Sequence, residues 1–153
     1  MSKKNYFNVC KECTLSYFES LFDEKAHERE LQPEDYPVNF DMSSTINLLE
    51  TNSTQLTLGY NIQSALKTSL QFLGSYERVD MNIILDTLSE IAGNIGISIR
   101  SKLAIPEIKL SIPLVIEGEK HHILVNELNV QKKGYEFIIQ NLRIWLIVQT
   151  REN

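Results

Sequence analysis

The stretch Asp80-Met-Asn-Ile-Ile-Leu-Asp-Thr-Leu-Ser-Glu-Ile-Ala-Gly-Asn-Ile-Gly-Ile-Ser-Ile-Arg-Ser-Lys-Leu103 decides how this chain folds. Its apolar residues recur every three or four positions, the period of a helix rather than the alternation of a strand. Advancing about 100° per residue from Asp86 places Ile84, Leu88, Ile91, Ala92, Ile95 and Ile99 on one side. Glu90, Gly93, Asn94, Ile97 and Ser101 fall on the other, near Asp86. Asp80 suits an N-cap, because a short carboxylate can accept the first unpaired backbone N–H groups. The segment therefore reads as a long helix with one face in a core and one face outside it. Gly93 and Gly96 interrupt it, each at a cost of about 1 kcal/mol relative to alanine. Gly93 leaves bare backbone beside Glu90, where a partner could approach closely.

Towards the N-terminus, Ile62 to Leu73 carries Ile62, Leu66, Leu70 and Leu73 on one stripe and ends at Gly74, a helix stop. Before it, Ser44 to Thr51 and Thr54 to Tyr60 read as strands joined at Asn52-Ser53, a hairpin. Glu30 to Pro37, with two prolines and several acids, reads as a loop. Asn5 to Glu24 reads as the first helix. Towards the C-terminus four strands are expected: Leu110 to Ile116, His122 to Val130, Tyr135 to Asn141 and Arg143 to Thr150. Glu117-Gly-Glu-Lys120 and Gln131-Lys-Lys-Gly134 are the turns expected between them. Helices and strands in this order predict an α+β domain, an antiparallel β-sheet with long helices packed on one face, rather than a parallel βαβ series.

The 153 residues suit a single domain spanning 1–153. Apolar residues make up 42% and charged residues 23%, which excludes a disordered or fibrous chain. The net charge is −5 and the fifteen Lys and Arg residues are scattered, so no basic patch points to nucleic acid. No stretch approaches the ~20 apolar residues that span a bilayer. The first residues carry charge with no apolar signal core behind them, so a cytoplasmic protein is expected.

Cys10 and Cys13 form a C-x-x-C inside the helical pattern of Tyr6, Phe7, Cys10, Leu15, Tyr17, Phe18, Leu21 and Phe22. A redox pair belongs just after a strand, and a zinc site needs two further ligands with matching spacing. Both cysteines read as plain helix thiols. His121 and His122 are adjacent, so on a strand they point to opposite faces and do not share a metal. His27 lies in a charged stretch and is expected to be exposed. No phosphate-cradling glycine loop, G-x-S-x-G elbow or H-E-x-x-H is present, and no metal site is expected.

The run from Leu88 to Leu103 resembles the signature helix of the CheX branch of the CheC/CheX/FliY chemotaxis phosphatases. Leu110-Ser-Ile-Pro-Leu-Val-Ile-Glu-Gly118, followed by Glu119-Lys-His121, resembles that branch's proline-containing strand and its Gly-x-x-His turn. The early helix, the hairpin around Asn52 and the Gln71-Phe-Leu-Gly74 helix end fall in the expected order, so the resemblance covers nearly the whole chain. It implies docking on a phosphorylated CheY-type receiver and hydrolysis of the receiver's aspartyl phosphate. The family's working motif is Glu-x-x-Asn: the acid pairs with a receiver lysine, and the amide orients the attacking water. Charge stabilisation is left to the receiver's Mg²⁺, so the domain implies no cofactor of its own.

Carried onto this chain, the acid is Glu90 and the amide position falls on Gly93. Asn94 lies one residue further, about 100° around the helix. Glu90 and Asn94 are thus the candidate catalytic pair, with Asp86, Gly93, Ile97 and Ser101 as partner-contacting residues. The alternative is a receiver-binding or dimerising module of the same fold without catalysis. Arg143-Ile-Trp-Leu-Ile-Val-Gln-Thr150 is apolar on both faces from Ile144 to Val148. A strand covered by helices on one side only should alternate. Its second face is covered within the chain or by a second copy, and the resemblance, which implies dimers through the sheet, favours a homodimer.

Overall fold

The computed structural model describes residues 3–49, 53–74, 78–105, 107–122 and 130–151. In chain order these form α1 (Lys3–Phe22), β1 (His27–Glu30), a short 3-10 turn (Pro33–Asp35), β2 (Phe40–Leu49), β3 (Ser53–Tyr60), α2 (Ile62–Leu73) and α3 (Met81–Leu103). They continue with β4 (Lys109–Leu110), β5 (Leu114–His121), β6 (Val130–Ile139) and β7 (Leu142–Arg151). The strands build one antiparallel sheet in the order β1-β6-β7-β3-β2-β4, with β5 also pairing β2. The expected α+β architecture is the observed one.

All three helices lie on one face of the sheet. Ile144, Leu146 and Val148 of β7, Leu56, Leu58 and Tyr60 of β3, and Met42, Ile46 and Leu48 of β2 point to that face. They share one buried cluster with Leu88, Ile91, Ile95 and Ile99 of α3 and Phe18 and Phe22 of α1. Helices α2 and α3 have different origins of stability. α2 is closed by its own ends: Asn61 caps it, accepting from the Ser64 backbone N–H at 2.8 Å, and Gly74 ends it at φ 67°. α3 is capped by Asp80, whose carboxylate accepts from the Ile83 N–H at 2.9 Å, and is held by its apolar stripe. Arg100 and Lys102 occupy its last turn, where cations complement the helix dipole.

Several expected boundaries change. His27–Glu30 is a strand, β1, paired with Tyr135–Ile138 of β6, although it carries no apolar alternation. All four of its residues are exposed, His27 among them, as suits a charged edge that discourages further pairing. β2 begins at Phe40, four residues before the expected Ser44. The expected strand Leu110–Ile116 is split into β4 and β5 around Pro113, which lacks the N–H a continuous ladder needs. Glu117 to Lys120 is not a turn but the continuation of β5, irregularly paired with β2, with Lys120 at φ 56°. Gln131 to Gly134 is likewise strand, paired residue by residue with β7 from Thr150 back to Ile147. The reversal between β6 and β7 falls at Gln140 and Asn141, within the end of the strand expected to reach Asn141; both residues have positive φ, and this left-handed pair matches the twist of the flanking strands. The strand expected over His122 to Val130, and the turn residue Asn52, lie outside the described residues apart from the strand's ends.

The sheet's other face is covered in part by the chain itself. Ile147 is only 3% exposed. Leu31 and the Tyr36 hydroxyl lie over Gly134, the β6 residue paired with Ile147. The Phe40 ring lies over Gly59 and tilts against Trp145, with ring centroids 5.7 Å apart. Of the two explanations for the apolar β7, internal cover therefore accounts for Ile147 and much of Trp145. Among the described residues, apolar surface left on this face includes Leu49 of β2 and Leu114 and Ile116 of β5, the last two aligned by register with Thr45 and Ser43.

Candidate functional site

The wheel drawn from the sequence holds in three dimensions. Ile84, Leu88, Ile91, Ala92, Ile95 and Ile99 are buried, while Asp86, Glu90, Asn94, Ile97 and Ser101 are exposed on the opposite side of one continuous helix. Glu90 and Asn94 stand one turn apart, about 6 Å along the axis, on the same ridge. Ile97 is 51% exposed, an apolar residue held out to solvent one turn further on. It borders an open hollow of about 470 Å³ lined by Arg100, Ser101, Ala104 and Ile105.

The ridge has two unlike flanks. On one side Gly93 is half-buried beside the segment leading into β5; a Cβ there would meet the Pro113 ring at 3.8 Å. The bare backbone expected at Gly93 is thus partly occupied by this chain. Gly96, further round, is fully buried, and a Cβ there would stand 2.9 Å from Ile46 Cδ1, so its glycine lets α3 settle on β2. On the other flank lies α1. Its half-buried Tyr17 lies near Asn94 and the Glu90 carboxylate. Burial, reinforced by the Glu90 charge, pushes the Tyr17 phenol above its ordinary value, so it is protonated at neutral pH.

Tyr17 is the site residue that sequence reasoning missed. It was legible as part of the α1 stripe, but no spacing within α1 says which residue of α3 it meets. Ala104 and Ile105 belong to the same category: they line the hollow where α3 ends, with Ala104 in the left-handed region at φ 54°.

Other candidates resolve into structure. Cys10 is buried in the core on α1 and Cys13 is half-buried on it, neither of them in a disulfide. The His121 Nδ1 faces the Gly118 carbonyl, which only accepts, so Nδ1 carries the proton; Nε2 then accepts from the Ser43 hydroxyl at 2.8 Å. Ser43 is fully buried, so this pair fastens the end of β5 to β2 and offers no reachable nucleophile. His122 is exposed. Among the described residues no group of three or more His, Cys, Asp or Glu could hold a metal ion, and no helix is long and apolar enough to cross a membrane.

No family model matches the sequence, and no curated protein matches it either. Solved structures do match. A CheC-like superfamily protein from Shewanella sp. PV-4 superposes with a TM-score of 0.82 at 16% identity, covering 99% of each chain. Chemotaxis protein CheX from Vibrio vulnificus superposes with a TM-score of 0.80 at 13% identity, over 96% of this chain and 99% of that one. The fold is that of the CheC and CheX proteins. A third chain with this CheX-like fold comes from a CheX–CheY–BeF3–Mg²⁺ complex of Borrelia burgdorferi. It has a TM-score of 0.76 at 15% identity, over 96% of this chain and 98% of that one. In this CheX-like chain the exposed ridge of α3, flanked by α1 and Pro113, is the part of the helix surface left uncovered.

Proposed function

We propose that this chain is a CheX-like domain that docks through α3 on a phosphorylated CheY-type receiver and promotes hydrolysis of its aspartyl phosphate. The observation that carries the proposal is the pairing of Glu90 and Asn94 on one solvent-facing ridge of a helix whose other side is wholly buried. Glu90 anchors the receiver through a lysine. Asn94 enters the receiver's phosphorylation site, where its amide orients a water for in-line attack while the receiver's own Mg²⁺ stabilises the charge. Asp86, Ile97 and Ser101 extend the contact along the ridge, and Gly93 lets the partner approach beside Glu90. The CheX–CheY complex among the structural neighbours supports the choice of partner. Such a role places the domain in the cytoplasm.

A second reading, docking without catalysis, is favoured by one observation: position 93, three residues after Glu90, is glycine and supplies no amide. Binding comes first in both. Titration of each CheY-type receiver of the source genome, activated with BeF3 and Mg²⁺, should give saturable binding that Glu90→Ala weakens. Charge-assisted contacts are worth on the order of 1.5–3 kcal/mol. Binding left unchanged by Glu90→Ala, or absent with every receiver, would remove α3 as the docking element.

Self-association through the sheet is part of the same proposal. It now rests on the exposed Leu114 and Ile116 of β5 rather than on Ile147. Sedimentation at micromolar concentration should show a dimer that Leu114→Lys dissociates; a monomeric wild type would contradict it.

A further inference from the structure

We propose that the hollow at the C-terminal end of α3 is a second contact for the docked receiver, where Arg100 takes a carboxylate of the receiver beside Ile97. This rests on the reading of α3 as the docking helix and extends that surface beyond Glu90 and Asn94. Ile97, Arg100, Ser101 and Ala104 are spaced i, i+3, i+4 and i+7, so they share one side of the last two turns. Ile105 closes the hollow past the helix end. Ile97 and Ser101 also stand on the ridge with Glu90 and Asn94, so ridge and hollow form one continuous surface.

The charges along this surface are ordered. Asp86 and Glu90 occupy its N-terminal half, and Arg100 stands in the last turn, about 15 Å beyond Glu90 along the axis. The helix dipole alone does not account for Arg100, because Lys102, exposed in the same turn, complements it too. Arg100 differs from Lys102 in being half-buried and in lining the hollow, and among the described residues it has no hydrogen bond or ion pair. A guanidinium presents a planar fork of donors that fits a carboxylate with two hydrogen bonds. Ile97 beside it, 51% exposed, offers apolar contact. The partner that fits therefore carries a cation opposite Glu90 and, about 15 Å along the helix, an acid next to an apolar side chain. Two points of contact fix what one leaves free. A receiver held at Glu90 alone can swivel, and a turn of about 10° moves the Asn94 end by about 1 Å, enough to spoil a near-attack geometry. The same turn moves the Arg100 end by about 2.6 Å, which breaks an ion pair there. Contact at Arg100 thus sets the direction in which the receiver lies along α3.

The test is binding of the whole chain to the CheY-type receivers of the source genome, activated with BeF3 and Mg²⁺, so it does not depend on catalysis. Wild type, Glu90→Ala, Arg100→Gln, Arg100→Glu and Lys102→Glu are compared, with circular dichroism confirming that each is folded. Arg100→Gln should raise Kd about threefold and Arg100→Glu about tenfold, because the second variant turns attraction into repulsion. Lys102→Glu, the same change of charge outside the hollow, should stay within about twofold of wild type. Among receiver variants with single exposed acids changed to lysine, one should restore tight binding to Arg100→Glu, and rescue by none would overturn the carboxylate contact. Equal losses from Arg100→Glu and Lys102→Glu overturn the proposal too, since overall charge would then be the cause. If both Arg100 variants bind like wild type while Glu90→Ala weakens binding, the role of Arg100 is overturned and the docking reading stands. A wild type that binds no receiver overturns both.

Discussion

Two glycines three residues apart in α3 should respond oppositely to the same substitution. Helix propensity alone gives alanine about 1 kcal/mol over glycine at either position. At Gly93 the new methyl would meet the Pro113 ring at 3.8 Å, ordinary contact, so nearly all of that gain should be kept. At Gly96 it would stand 2.9 Å from Ile46 Cδ1 and 3.6 Å from the Leu110 methyls, with Ile46 itself only 2% exposed. Overfilling a packed site costs about 1–3 kcal/mol, which offsets the gain or exceeds it. Gly93→Ala should therefore be stabilised by about 0.5–1 kcal/mol, and Gly96→Ala should fall about 2 kcal/mol below it. In a domain of this size that separation is a Tm difference of about 4–8 °C. Urea unfolding followed by far-UV circular dichroism measures it. Ile46→Val supplies the control, because it deletes the offending methyl: Gly96→Ala should cost less in that background than alone. Equal stabilisation at both positions would refute the seating of α3 on β2 through Gly96, and with it the orientation of the ridge.

Gly59→Ala should be destabilising by about 2 kcal/mol or more, because its methyl would occupy the place of the Phe40 ring, which is buried against Trp145; a neutral effect in thermal unfolding would mean that Phe40 does not cover this face. Alkaline pH should also weaken the fold. Burial, helped by the charges of Glu30 and Glu28, pushes the Tyr135 phenol up to about 12. Its contribution is complete below pH 10, where the unfolded phenol is neutral too, and is lost as pH rises from 10 towards 12 at about 1.4 kcal/mol per unit. Tyr60, raised further by complete burial, acts in the same direction. Urea midpoints at pH 9 and pH 11 should fall further for wild type than for Tyr135→Phe, and identical falls would contradict the assignment.

What could be read from the sequence follows from the range of the interactions concerned. α3 was legible in full because a capping aspartate, Asp80, and a long period of isoleucines are local signals that agree with each other. α2 was legible to the residue for the same reason, with Gly74 as its stop. β1 was not, because His-Glu-Arg-Glu is strand only by virtue of the β6 edge beside it. The lysines and glycine of Gln131–Gly134 looked like a turn, but pairing with β7 along ten residues outweighs local preference. The open face of β7 was recognised as anomalous from Trp145 and Ile147, yet the cover comes from Leu31, Tyr36 and Phe40, more than a hundred residues away in the chain. The site divides in the same way: Glu90, Asn94, Ile97 and Ser101 share a face by helical arithmetic, whereas Tyr17 and Pro113, which define the flanks, are placed by packing.

The central claim is that the α3 ridge accelerates loss of the receiver's phosphate with Asn94 as its amide. Its most direct test is the decay of acyl phosphate on a CheY-type receiver, phosphorylated with acetyl phosphate and followed with wild type, Asn94→Ala and Gly93→Asn. Wild type should accelerate decay, and Asn94→Ala should abolish the acceleration while leaving receiver binding intact, because water orientation is lost and contact area is not. The opposite pattern, a wild type that leaves decay unchanged and a Gly93→Asn variant that accelerates it, would contradict the claim and identify the chain as a docking module without catalysis.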